Sequence, residues 1–152
     1  MTFVRVYDLR SDHDLIKHMQ QASLTRPDAG LALEPALVGS DDWWALIQKG
    51  ALSQSIVEGV IRRVYWASMG DWPEFEVESA NGDLSQWTRE GDISRYVEGL
   101  QVRMGFVRHP WKEQLVNQMA ATHSSLVIFV EIEESSLRSD PRAPGPGGIG
   151  LR

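Results

Sequence analysis

Phe3, Arg5 and Tyr7 alternate with Val4 and Val6, a period of two that predicts a short strand at residues 3–7. The period then changes. Leu15, Ile16, Met19 and Ala22 recur at helical spacing behind Ser11, read as the N-cap, with Asp14 at the third helical position facing the positive helix end. Arg26-Pro27-Asp28-Ala29-Gly30 stops that helix, and residues 31–39, interrupted by Pro35, carry no regular pattern. Ser40-Asp41-Asp42 caps a second, short helix from Trp43 to Lys49, with Gly50 at its C′ position. A helix this short needs tertiary packing, and Trp43 and Trp44 are its natural anchors.

From residue 56 the pattern is that of strands. Ile56–Ala67 is rich in β-branched and aromatic residues and apolar on both faces, and it carries Gly59, features of a bent strand. Phe75–Ser79 alternates, and Leu84–Arg89 follows after Asn81-Gly82, a strong hairpin signal. Leu100, Val102, Met104 and Phe106 mark a further half-buried strand. Residues 111–121 suit a helix bearing Trp111, Leu115, Val116 and Met119, and Leu126–Glu133 is a last, well-covered strand.

The order is therefore β-α-α-β-β-β-β-α-β. It predicts an α+β fold, a mainly antiparallel, strongly curved sheet or small partly open barrel with two or three helices packed against it. Residues 1–138 are expected to form a single globular domain, and residues 139–152, rich in proline and glycine, a flexible tail.

Composition narrows the chemistry. With 42% hydrophobic and 24% charged residues in 152, the chain has an ordinary globular balance. It contains no cysteine, which excludes disulfides and thiolate metal sites. No signal-peptide pattern stands at the N-terminus, and the longest apolar run, Leu126–Val130, is far too short to span a bilayer, so a cytoplasmic location is expected. A net charge of −6 opposes nucleic-acid binding, for which Arg62-Arg63 and Arg103/Arg108 are the only dense basic candidates.

Catalytic signatures are weak. There is no Gly-x-Ser-x-Gly elbow, phosphate loop or dinucleotide fingerprint in the folded part, and no cofactor or metal is implied. His13 and His18 lie five apart and point to different sides of a helix. Asp14 and His18 can meet at i and i+4 but read as a surface pair. His109 and His123 read as loop histidines flanking strands.

The most informative pattern is acidic. Glu74, Glu76 and Glu78 alternate with Phe75 and Val77, so three carboxylates share one face of a strand and two core residues the other. Asp71 and Trp72, the latter expected in a loop, lead into that strand, giving an aromatic anchor beside a charged rim. Trp87 depends on register. A two-residue Asn81-Gly82 turn sets it opposite Glu76, and a three-residue Ala80-Asn81-Gly82 loop sets it opposite Phe75 and buries it, the favoured arrangement.

These features point to a small acidic protein that acts by macromolecular binding. An immunity-type or antitoxin-type protein that neutralises a basic partner through Asp71, Trp72, Glu74, Glu76 and Glu78 is the concrete form. The alternative is a ligand-binding or catalytic barrel with a pocket lined by Trp66, Trp72 and His109.

Overall fold

Nine regular elements follow one another in the computed structural model, which describes residues 2–119 and 121–134. They are β1 (Phe3–Asp8), α1 (His13–Thr25), α2 (Asp41–Lys49), β2 (Gln54–Ala67), β3 (Trp72–Glu78), β4 (Leu84–Thr88), β5 (Gln101–Pro110), α3 (Val116–Met119) and β6 (His123–Glu133). The strands form one antiparallel sheet in the order β1-β6-β5-β2-β3-β4, open rather than closed into a barrel. The expected α+β class and antiparallel sheet are thus observed. The proline- and glycine-rich tail lies outside the described residues.

The chain divides into two compact units. Among the described residues, one takes in Thr2–Val6, Glu58–Arg103 and Glu131–Glu134, and the other Tyr7–Val57 and Met104–Val130.

In the second unit, Leu9, Leu31, Val38, Trp43, Trp44, Val107, Ile128 and Phe129 form a continuous buried cluster. The start of α1 departs from the sequence reading. Ser11 is drawn into a 3-10 turn, Leu9–Ser11, and Asp12 is the cap. Its Oδ1 accepts from the Leu15 N–H at 3.3 Å, while Oδ2 accepts from the Tyr7 hydroxyl at 2.8 Å. That second bond, from a strand residue, is what a local pattern cannot see. Ile16 and Met19 pack on the cluster, whereas Leu15 is exposed. α2 starts and stops as expected: Ser40 Oγ accepts from the Trp43 N–H, and Gly50 adopts φ 80°.

Trp43 is fully buried and meets Trp44 edge-on at 4.8 Å. A buried indole N–H needs an acceptor, and His109 Nδ1 supplies it at 3.1 Å. Indole nitrogen can only donate, so Nδ1 is unprotonated and the ring proton sits on Nε2, which donates to the Ala32 carbonyl at 2.7 Å. His109 is therefore a neutral core residue near the end of β5, correcting its expected place in a loop. It also ties down the irregular 31–39 stretch, assisted by Ser23, whose hydroxyl accepts from the Leu31 N–H at 3.0 Å.

The first unit buries Ile61, Phe75, Val77, Tyr96, Val102 and Ile132, with the Phe75 and Tyr96 rings 4.8 Å apart. β2 shifts its register with β3 between Ile61 and Arg63. Gly59 is required nearby: a Cβ there would lie 2.2 Å from the Glu78 carbonyl oxygen, which is backbone and cannot swing aside. Gly82 is a different case, with φ 89° and open space around it.

Two outcomes follow. Gly59→Ala should destabilise by about 2 kcal/mol or more through overpacking, and Gly82→Ala by about 1 kcal/mol through backbone strain alone; urea midpoints for the two variants check the ranking. Burial holds the His109 pKa below its ordinary 6.5, so near and below that pH the unfolded chain takes up a proton that the folded chain refuses. This group's contribution is complete above its unfolded pKa and is lost as pH falls through the window beneath it. The urea midpoint should therefore fall between about pH 7.5 and about pH 5.5 more in the parent than in His109→Gln.

Candidate protein-binding surface

Three strands build the acidic surface. β3 is interior to the sheet, pairing with β2 on one side and β4 on the other. The hairpin joining β3 to β4 closes with Ser79 N–H donating to Asp83 O and Gly82 N–H donating to Ser79 O, so its loop is the three residues 80–82. Phe75 consequently faces Trp87, the favoured register, and Trp87 is half-buried. Phe75 and Val77 are fully buried on one face of β3, and Glu74, Glu76 and Glu78 take the other.

That row is not a bare line of charge. Glu76 is only 6% exposed. Its Oε1 lies 3.4 Å from Arg63 Nε and 3.8 Å from Arg62 Nε, and its Oε2 accepts from Gln86 Nε2 at 2.6 Å. Glu78 Oε1 accepts from Arg62 Nη1 at 2.7 Å, and Glu74 Oε1 from the Tyr65 hydroxyl at 2.9 Å. The cause is the β2 irregularity: Ile61 faces Val77 and Arg63 faces Glu76, leaving Arg62 as the additional residue. Two consecutive arginines thereby reach one carboxylate row. The guanidinium of Arg63 also stacks over the Tyr65 ring at 4.1 Å. Burial, then the bond to Glu74, raises the Tyr65 pKa and keeps the phenol protonated as donor.

The two basic candidates from the sequence are thus differently placed. Arg62 and Arg63 are engaged by the acidic row. Arg103 lies 3.5 Å from Glu58 and 3.4 Å from Glu131, while Arg108 stands exposed without an ion pair among the described residues.

Trp72 is the first residue of β3, opposite Ala67, rather than a loop residue. It is 51% exposed on the face that carries Glu74, and its indole N–H donates to Thr88 Oγ1 at 2.9 Å. Asp71 is exposed just before it. Trp66, opposite Pro73, takes the other face of the hairpin with Phe75, and His109 is closed off by its own hydrogen bonds. Trp66 and Trp72 therefore do not share a face of the β2–β3 pair. Asp14 and His18 are exposed on α1 with no bond between them, and among the described residues no three His, Asp or Glu side chains are grouped to hold a metal. No helix among these residues is long and apolar enough to cross a membrane.

The family model described as Immunity protein RhsI2 matches residues 3–133, which spans every strand and helix described above. No curated protein matches the chain.

Glu76 and Glu78 should behave differently on truncation. Glu76→Ala removes a buried acceptor shared by Arg63 and Gln86 and should cost about 1–3 kcal/mol. Glu78→Ala breaks a half-exposed pair and should cost no more than about 1 kcal/mol. Equal urea midpoints for the two variants would contradict the buried placement of Glu76.

Proposed function

The chain belongs to the RhsI2 immunity-protein family, and from that premise we propose that it neutralises a basic toxin in the cytoplasm by forming a protein–protein complex. Docking is through Trp72 and the carboxylates of Asp71, Glu74 and Glu78, with Glu76 holding the row in place from beneath. The carrying observation is Trp72: half-exposed, beside Glu74, and oriented in advance by its bond to Thr88. An aromatic ring held in one orientation loses little entropy on binding, which is the usual character of an interface anchor. The exposed carboxylate of Asp71 and the partly exposed ones of Glu74 and Glu78 further along the same face supply the steering field, and a net charge of −6 strengthens attraction to a basic surface.

The test uses the toxin recovered from producing cells as a complex with the wild-type chain, identified by mass spectrometry and then purified. Trp72→Ala should raise the dissociation rate on the order of 30-fold with the association rate almost unchanged. The double variant Glu74→Lys, Glu78→Lys should instead slow association and flatten its salt dependence. Both should lose protection of cells that produce the toxin. Glu76 is excluded from the charge reversal because it is buried, so a lysine there would be an unpaired charge out of water beside Arg62 and Arg63, whereas Glu78 is half-exposed. Wild-type rates from both variants would reject this surface.

A further inference from the structure

The turn between β2 and β3 has a backbone that its residues do not favour. Ser68 and Met69 have φ 51° and 60°, and Gly70 has φ 92°. Among the described residues Ser68 and Met69 are the only non-glycines with positive φ. Neither is asparagine or aspartate, the side chains that tolerate this region through local hydrogen bonds. The turn is closed by the Asp71 N–H, which lies 3.1 Å from Ala67 O and 3.3 Å from Ser68 O. Strain of this kind persists only where the surrounding structure holds it, and it clusters at functional sites.

What the strain achieves is display. Met69 is fully exposed, and Trp66 and Trp72 on either side are 54% and 51% exposed. One exposed apolar residue is ordinary, but here three large ones lie within seven residues at a hairpin end, an apolar patch divided between the two faces, with Trp66 on the Phe75 side and Trp72 on the Glu74 side. Trp66 is held from below by Arg89, whose guanidinium lies 5.0 Å from its ring while donating to Tyr65 O at 3.1 Å. Trp72 is held by Thr88. Between two fixed indoles stands a flexible thioether, a side chain that fills irregular apolar cavities well. The only charge in the turn is that of Asp71.

We propose that this turn is the inserting tip of the toxin complex, with Met69 seated in an apolar pocket of the toxin whose rim is basic and answers Asp71 and Glu74. The inference rests on the toxin-binding reading above and deepens it. The tip is continuous with Trp72, and its single acidic charge specifies the sign of the pocket's rim. The left-handed turn presents Met69 before the partner arrives, so little ordering remains to be done on binding.

Met69→Gly separates the two roles of this residue, since glycine accepts φ 60° without strain but offers no side chain. With the same purified toxin, Met69→Gly should melt at or above the parent temperature yet dissociate at least about tenfold faster. Met69→Asp, folded by circular dichroism, should bind more weakly still. Sedimentation of the free chain should show a monomer in parent and variants alike. If Met69→Gly and Met69→Asp both dissociate like the parent while Trp72→Ala does not, the tip is overturned and the toxin-binding face stands. If the parent self-associates and Met69→Asp abolishes that instead, the patch belongs to a second copy of the chain. A wild-type chain that binds no toxin would overturn both proposals.

Discussion

A carboxylate removed from water must find cations and donors or give up its charge, and Glu76 meets that requirement on a sheet face next to solvent. Arg62, Arg63 and Gln86 converge on its two oxygens. The arrangement exists because β2 slips by one residue between Ile61 and Arg63, presenting two arginines where regular pairing would present one. Glu78 shares Arg62, Glu74 is held through Tyr65, and Arg63 stacks on Tyr65. The β2–β3–β4 surface is therefore a connected polar network rather than three independent acids. Its field is partly neutralised from within, whereas Asp71 at the Trp72 end stands exposed without an ion pair among the described residues.

The second unit solves a comparable problem with uncharged groups. Trp43 brings the largest apolar area into the core and with it an N–H that can only donate. His109 accepts that hydrogen bond at Nδ1 and donates its own from Nε2 to Ala32 O. The same ring thus fixes a helix, a strand and an irregular connector, at the cost of remaining neutral. Ser23 repeats the device on a smaller scale, linking α1 to Leu31. Residues 31–39 lack regular structure yet place Leu31 and Val38 in the core because a few buried polar bonds hold their backbone.

An immunity protein must be stable alone and still keep unsatisfied surface for its partner. On the proposed binding surface, the two demands fall in different places. Buried networks around Glu76 and His109 hold the units, whereas the β2–β3 turn leaves Met69 in water on a strained backbone. A turn that optimised stability alone would carry glycine or asparagine at positions 68 and 69. Trp72 lies between these extremes, half-exposed yet held by its bond to Thr88.

Periodicity determined the elements, since alternation and helical spacing follow from which side chains must leave water. The caps at Ser40 and Gly50, the two faces of β3 and the favoured opposition of Phe75 and Trp87 were all legible, because each depends on residues close in sequence. Four features were not. Asp12 replaced Ser11 as the cap once Tyr7 bonded to it. Trp72 joined β3 by pairing opposite Ala67, and His109 entered the core because Trp43, 66 residues away, needed an acceptor. Arg62 and Arg63, visible in the sequence as a basic pair, met Glu76 and Glu78 only through the slip in β2. None of these partnerships shows in the alternation or helical spacing of a single segment, and desolvation makes such partners obligatory only after folding has brought them together.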